Sequence, residues 1–149
     1  MRILTAAMIV LFGIEAAEAR IVPHWPYEKL ADEADFVAVV AVDSIEDAND
    51  PLMGHGEAQR FQGKTAHLRV GWVIKGEAVE SVDMLYFTYS RDGQGEPNGA
   101  LFISFEDPAK HQYLVFLKRK GKRMVPVTGH YDARISVKVM REDSFSPIK

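Results

Sequence analysis

Cysteine is absent from the 149-residue chain. That excludes disulfides, thiolate-held zinc, iron–sulfur clusters, a cysteine nucleophile and a lipidated N-terminal cysteine. No Asn-x-Ser/Thr acceptor occurs, because Asn49 is followed by Asp50-Pro51 and Asn98 by Gly99-Ala100. Charge of one sign is not in excess: 18 Lys and Arg stand against 21 Asp and Glu, a formal charge of -3. Such a balance does not suit a chain whose main task is to hold phosphates, and no nucleic-acid partner is expected. The motifs of hydrolysis are missing too: there is no His-Glu-x-x-His and no Gly-x-Ser-x-Gly. What remains is an ordinary globular composition, 47% hydrophobic and 26% charged, enough to bury a core without covalent staples.

The first residues have the layout of an export signal. Arg2 supplies a positive start, residues 3–14 form an apolar run, and Ala17-Glu18-Ala19 offers small residues at the positions a signal peptidase reads. A spanning helix takes roughly 20 apolar residues, and Glu15 and Glu18 interrupt the run before that. The expectation is a signal peptide over residues 1–19, cleavage after Ala19, and a new N-terminus at Arg20. The product is secreted or periplasmic, with no stable membrane insertion once cleaved. Residues 20–140 read as a single domain and 141–149 as a flexible tail.

Most of the domain reads as strands. Residues 35–43 are β-branched and almost wholly apolar, which suits a strand covered on both faces. Residues 64–74 alternate: Ala66, Leu68, Val70, Trp72 and Ile74 share one face, while Thr65, His67, Arg69 and Gly71 share the other. Further strands are expected over 81–90, over 100–105, and over 135–140. Residues 113–118 and 123–127 flank a short glycine-containing segment and read as a hairpin. Ahead of them, Pro26 suits the first turn of a helix in which Tyr27, Leu30, Ala31 and Ala34 share the apolar face. Residues 44–63 and 90–99 are polar and read as loops. The fold class predicted is mainly β: an OB-like Greek-key barrel of five or six strands with one or two short helices.

Three short motifs carry a resemblance. Ala34-Asp35-Phe36-Val37 opens a strand after a helix, Trp72-Val73-Ile74-Lys75-Gly76 closes the next long one, and Tyr113-Leu114-Val115-Phe116-Leu117 opens a later hairpin. In this order they resemble the netrin-like module, the OB-fold barrel of the tissue inhibitors of metalloproteinases and of related secreted modules, exported bacterial proteins among them. The resemblance spans residues 34–129 and implies a five-stranded Greek-key barrel. Those inhibitors chelate the target's zinc through an N-terminal cysteine, and here the predicted first residue is Arg20, so no inhibitory residue carries over.

The candidate sites follow from charge. Lys118, Arg119, Lys120, Lys122 and Arg123 place five cations in six positions, a candidate contact for an exported protein or an anionic polymer. Tyr86, Phe87 and Tyr89 offer stacking surfaces if they face outward. Asp43, Glu46, Asp47 and Asp50 crowd one expected loop, and Asp92, Glu96 and Asn98 another, but the calcium frame Asp-x-Asp-x-Asp-Gly is absent. His24, His55, His67, His111 and His130 are isolated; His55-Gly56-Glu57 and His130-Tyr131-Asp132 supply at most two ligands each. Glu106-Asp107 is the adjacent carboxylate pair considered for acid–base work. The expectation is a non-catalytic binding module with no metal and no cofactor. Its alternatives are a metalloproteinase-inhibitor-like protein acting through Arg20, and an enzyme whose site has no motif.

Overall fold

A computed structural model describes residues 21–48, 61–89, 99–105 and 107–140. The expected signal peptide, Arg20, the tail 141–149, and Asp50, His55, Glu57, Asp92, Glu96, Asn98 and Glu106 lie outside the described residues.

The elements are α1 (Tyr27–Glu33), β1 (Phe36–Ala48), β2 (Phe61–Lys75), β3 (Ser81–Tyr89), β4 (Gln112–Lys120), β5 (Arg123–Pro126), a 3-10 turn (Ala133–Ser136) and β6 (Val137–Met140). Five strands close into a barrel in the order β1-β2-β3-β5-β4, with β4 returning to β1. Every neighbour is antiparallel except β3 and β5, which run parallel and meet at Met84 and Met124. A five-stranded barrel with this order is OB-like. The sixth strand, β6, extends it on the far edge of β4, whose other half pairs with β5.

Alternation decides what the barrel encloses. Phe36, Ala38, Val40 and Val42 of β1 meet Leu68, Met84, Tyr86, Tyr113, Val115 and Leu117 inside it. On the outside, Val37 and Phe116 join Leu30, Ala34 and Val127, so α1 lies over β1 and β4. The first half of β1 is thus covered on both faces, as its unbroken apolar run predicts. Helix α1 starts behind Pro26, whose carbonyl accepts from the Leu30 N–H at 3.1 Å. It ends where Ala34 turns extended. Its last turn contains no cation of its own. Instead the Lys75 ammonium reaches across from β2 and donates to the carbonyls of Ala31 and Asp32, at 2.8 and 3.2 Å, satisfying orphan acceptors of the helix end.

The structure corrects the expected boundaries. Strand β1 continues to Ala48 and β2 begins at Phe61, so residues 44–48 pair with β2 and residues 61–63 with β3, in ladders rather than loops. The residues that made this stretch look solvated are cross-strand partners: Asp43 pairs with Arg69, Glu46 with His67, and Asp47 with Lys64. Opposite charges across a pair support strands as apolar pairs do.

The alternation of β2 also breaks. Gly71 and Ile74 are extra residues opposite β1, whose register shifts between Val39 and Val40 and between Val37 and Ala38. Each bulge flips the faces. Val73 therefore packs against the barrel core, while Trp72 and Ile74 are 72% and 61% exposed.

Residues 100–105 form no strand. Leu101 exchanges backbone bonds with Tyr131 and Arg134, a turn and a 3-10 segment that offer no ladder. Its neighbours still alternate, Ile103 and Phe105 packing into the barrel and Phe102 against the outer cluster of Leu85, Phe87 and Val125. Residues 135 and 136 belong to the 3-10 turn, so the last strand starts at Val137 rather than at 135.

Candidate functional site

The hairpin predicted from 113–127 is present, closed by Gly121-Lys122 between the paired residues Lys120 and Arg123. Gly121 has φ 63, the positive value that a tight hairpin turn needs at its first central residue. The ladder sorts the five cations. Lys118 lies opposite Val125, which packs in the outer cluster, and Lys120 lies opposite Arg123, so these three share the outer face. Arg119 lies opposite Met124, a residue of the barrel interior, and so belongs to the barrel mouth. There its backbone N–H donates to the Asp35 carboxylate at 2.7 Å. The five are one turn in sequence but two faces in space.

Two clefts flank this turn. One, of about 310 Å³, sits at the barrel mouth and is lined by Asp35, Glu77 and Asp83 together with Arg119, Lys122 and Met124. The other, of about 300 Å³, lies on the outer surface of β2, β3 and β5, lined by Thr65, Leu85 and Arg123 together with the same Asp83 and Lys122. Asp83 and Lys122 therefore line both.

Beyond the second cleft the outer face of β1, β2 and β3 is a row of charge pairs. His67 on β2 hydrogen-bonds through Nδ1 to Asp83 at 2.6 Å, and its Nε2 lies 3.6 Å from the Glu46 carboxylate. The hydrogen bond to Asp83 raises the His67 pKa above its ordinary value, with help from Glu46 and against a smaller desolvation effect. One residue pair along, Arg69 donates to Asp43 at 3.0 Å.

Other predicted residues take structural places. Tyr86 and Phe87 are buried and cannot serve as stacking surfaces. Tyr86 stands inside the barrel edge-on to Phe105, and burial pushes its hydroxyl up to about 12. Tyr89 packs among Phe61 and Phe102. Asp43, Glu46 and Asp47, expected to share a loop, lie along β1, each beside a basic side chain of β2. Among the described residues no group of three or more His, Asp or Glu side chains is placed to hold a metal ion. His24 is exposed, and His130 stands edge-on to Phe87 at 4.4 Å. Asp132 is buried, its carbonyl accepting from Thr128, which also bonds Ser136. Asp107 pairs with Lys110 on the surface.

Asp35, Glu77 and Asp83 are the residues that sequence reasoning missed beside the basic hairpin. Each lies more than thirty residues from it in sequence, and only barrel closure brings them together. No family model, no curated protein and no solved structure matches this chain.

Proposed function

We propose that the protein is an exported, non-catalytic binding module on an OB-like frame, related to the netrin-like barrels, and that it holds a polyanion or an acidic protein partner through the hairpin 118–123. One observation carries this reading: the β4–β5 turn stands beside the outer face of β2 and β3, and clefts open on both sides of it. In OB barrels that face and that loop are where oligonucleotides and oligosaccharides are taken. Three of the five hairpin cations, Arg119, Lys122 and Arg123, line the clefts. No reacting pair of side chains is needed for such a role.

The test is retention on an anionic matrix. Neutralising the set, as K118Q/R119Q/K120Q/K122Q/R123Q, is expected to move elution to clearly lower salt. The Arg119 backbone bond to Asp35 does not involve the replaced side chain, so the substitutions leave it in place. Unchanged retention would remove the hairpin from the binding surface.

A further inference from the structure

The lining of the two clefts does not match a ligand that is merely negative. Arg119, Lys122 and Arg123 are balanced by Asp35, Glu77 and Asp83. A phosphodiester or polyphosphate presents only acceptors along its charged edge, and these would meet the carboxylates as like charges. An acidic peptide has main-chain N–H donors, but its charged side chains are acceptors only and meet the same like charges. A sugar ring that carries a carboxylate answers both halves. Its carboxylate accepts from the cations, and its hydroxyls donate to Asp and Glu, which when ionised only accept. Thr65 adds a hydroxyl in the outer cleft and Ser81 another at the barrel mouth. Apolar walls are present on each side, Leu85 in one and Val82 with Met124 in the other, against which a ring's C–H surface can rest.

The clefts are similar in size and have Asp83 and Lys122 in common. That arrangement suits consecutive units of one chain better than two separate small molecules. We infer that the two clefts are adjoining subsites for a hydroxyl-rich acidic polysaccharide, a polymer of uronate-type sugars. The inference rests on the reading of the 118–123 hairpin as a binding surface and names the ligand class for it.

The experiment is calorimetric titration of the full chain with four probes: trigalacturonate, its methyl ester, a polyphosphate of similar charge, and a short poly-Glu peptide. Trigalacturonate is expected to bind, with its methyl ester, polyphosphate and poly-Glu each at least tenfold weaker. Lys122→Gln should weaken trigalacturonate at least tenfold. The carboxylates supply the sharper test. Asp83→Asn should weaken trigalacturonate several-fold, because a hydroxyl loses its charged acceptor, yet strengthen polyphosphate, because a repelling charge is gone. Glu77→Gln has no tie to His67 and should act in the same direction, which keeps the result independent of that pair. If polyphosphate or poly-Glu binds as well as trigalacturonate, the polysaccharide assignment fails and the binding surface stands. If none of the four binds, both fall.

Discussion

His67 is held from two sides, by Asp83 on β3 and Glu46 on β1. Its pKa is raised in the folded chain. A raised value means that the imidazolium form binds its proton more tightly folded than unfolded, so the pair stabilises the fold at pH below about 6.5, the ordinary histidine value. The contribution is lost as pH rises through the folded value. His67→Gln is therefore expected to lower the urea midpoint at pH 5.5 and to leave it unchanged at pH 9. An equal loss at both values would mean that packing, not protonation, is what the ring supplies. The side chain is 36% exposed, so solvent screens the pair and the effect is small beside that of a core change.

Gly76 makes a different residue-scale case. Its φ is +104, and a Cβ there would stand 2.8 Å from the Asp35 carbonyl. Gly76→Ala is expected to cost about 1–3 kcal/mol in chemical denaturation, from strain at the left-handed backbone and from the displaced contact. Because Asp35 also holds the Arg119 N–H, the substitution should disturb the cleft at the barrel mouth as well. A neutral result would show that the turn relaxes away from β1.

At the scale of elements, what could be seen in the sequence was whatever repeats with a fixed period. The apolar run of β1 and the face of α1 are of that kind: Leu30 and Ala34 fall on the predicted buried face, and they are buried. Tyr27 falls on that predicted face too, yet it is 57% exposed, its ring 6.0 Å from that of Phe116 at the rim of the helix contact. Period fails where one residue is inserted. The bulge at Gly71 turns Trp72 outward although the alternation pointed it inward, and a lone glycine in a strand is a weak sign of such an insertion. Charge fails as a loop signal where the partner is on the next strand, as for Asp47 and Lys64. The candidate site was half legible for the same reason. The cations are adjacent in sequence, whereas Asp35, Glu77 and Asp83 come from three other places.

The helix contact also yields the element-scale prediction. Leu30→Ala should cost about 2–5 kcal/mol, the range for emptying a buried leucine site. Lys75→Met, which removes the ammonium from the carbonyls of Ala31 and Asp32, should cost about 0.3–1 kcal/mol. Thermal unfolding of the two variants should preserve that order. The reverse order would mean that α1 is held by its end rather than by its apolar face.

For the whole molecule, the distribution of pairing around the barrel sets where it opens. Strand β1 is paired along Val37–Ala41 on both edges, with β2 and with β4. The closure between β3 and β5 is thin by comparison, a parallel junction at Met84 and Met124. Local opening follows the least-paired boundary, so amide exchange is expected to be slowest at 37–41 and faster at 84, 85, 124 and 125. Met124→Ala removes apolar contact at the junction and should cost about 2–5 kcal/mol, with faster exchange in β3 and β5 before any change in β1. Uniform exchange around the barrel would contradict a weak seam. Both clefts lie across this junction, since Asp83 belongs to β3 and Lys122 to the turn that enters β5. A ligand that bridges those two side chains joins the strands the backbone joins least. Trigalacturonate at 100 times its dissociation constant should therefore stabilise the fold by about 2.7 kcal/mol and slow exchange first at 84, 85 and 125. Slowing confined to other strands would place the ligand elsewhere on the barrel.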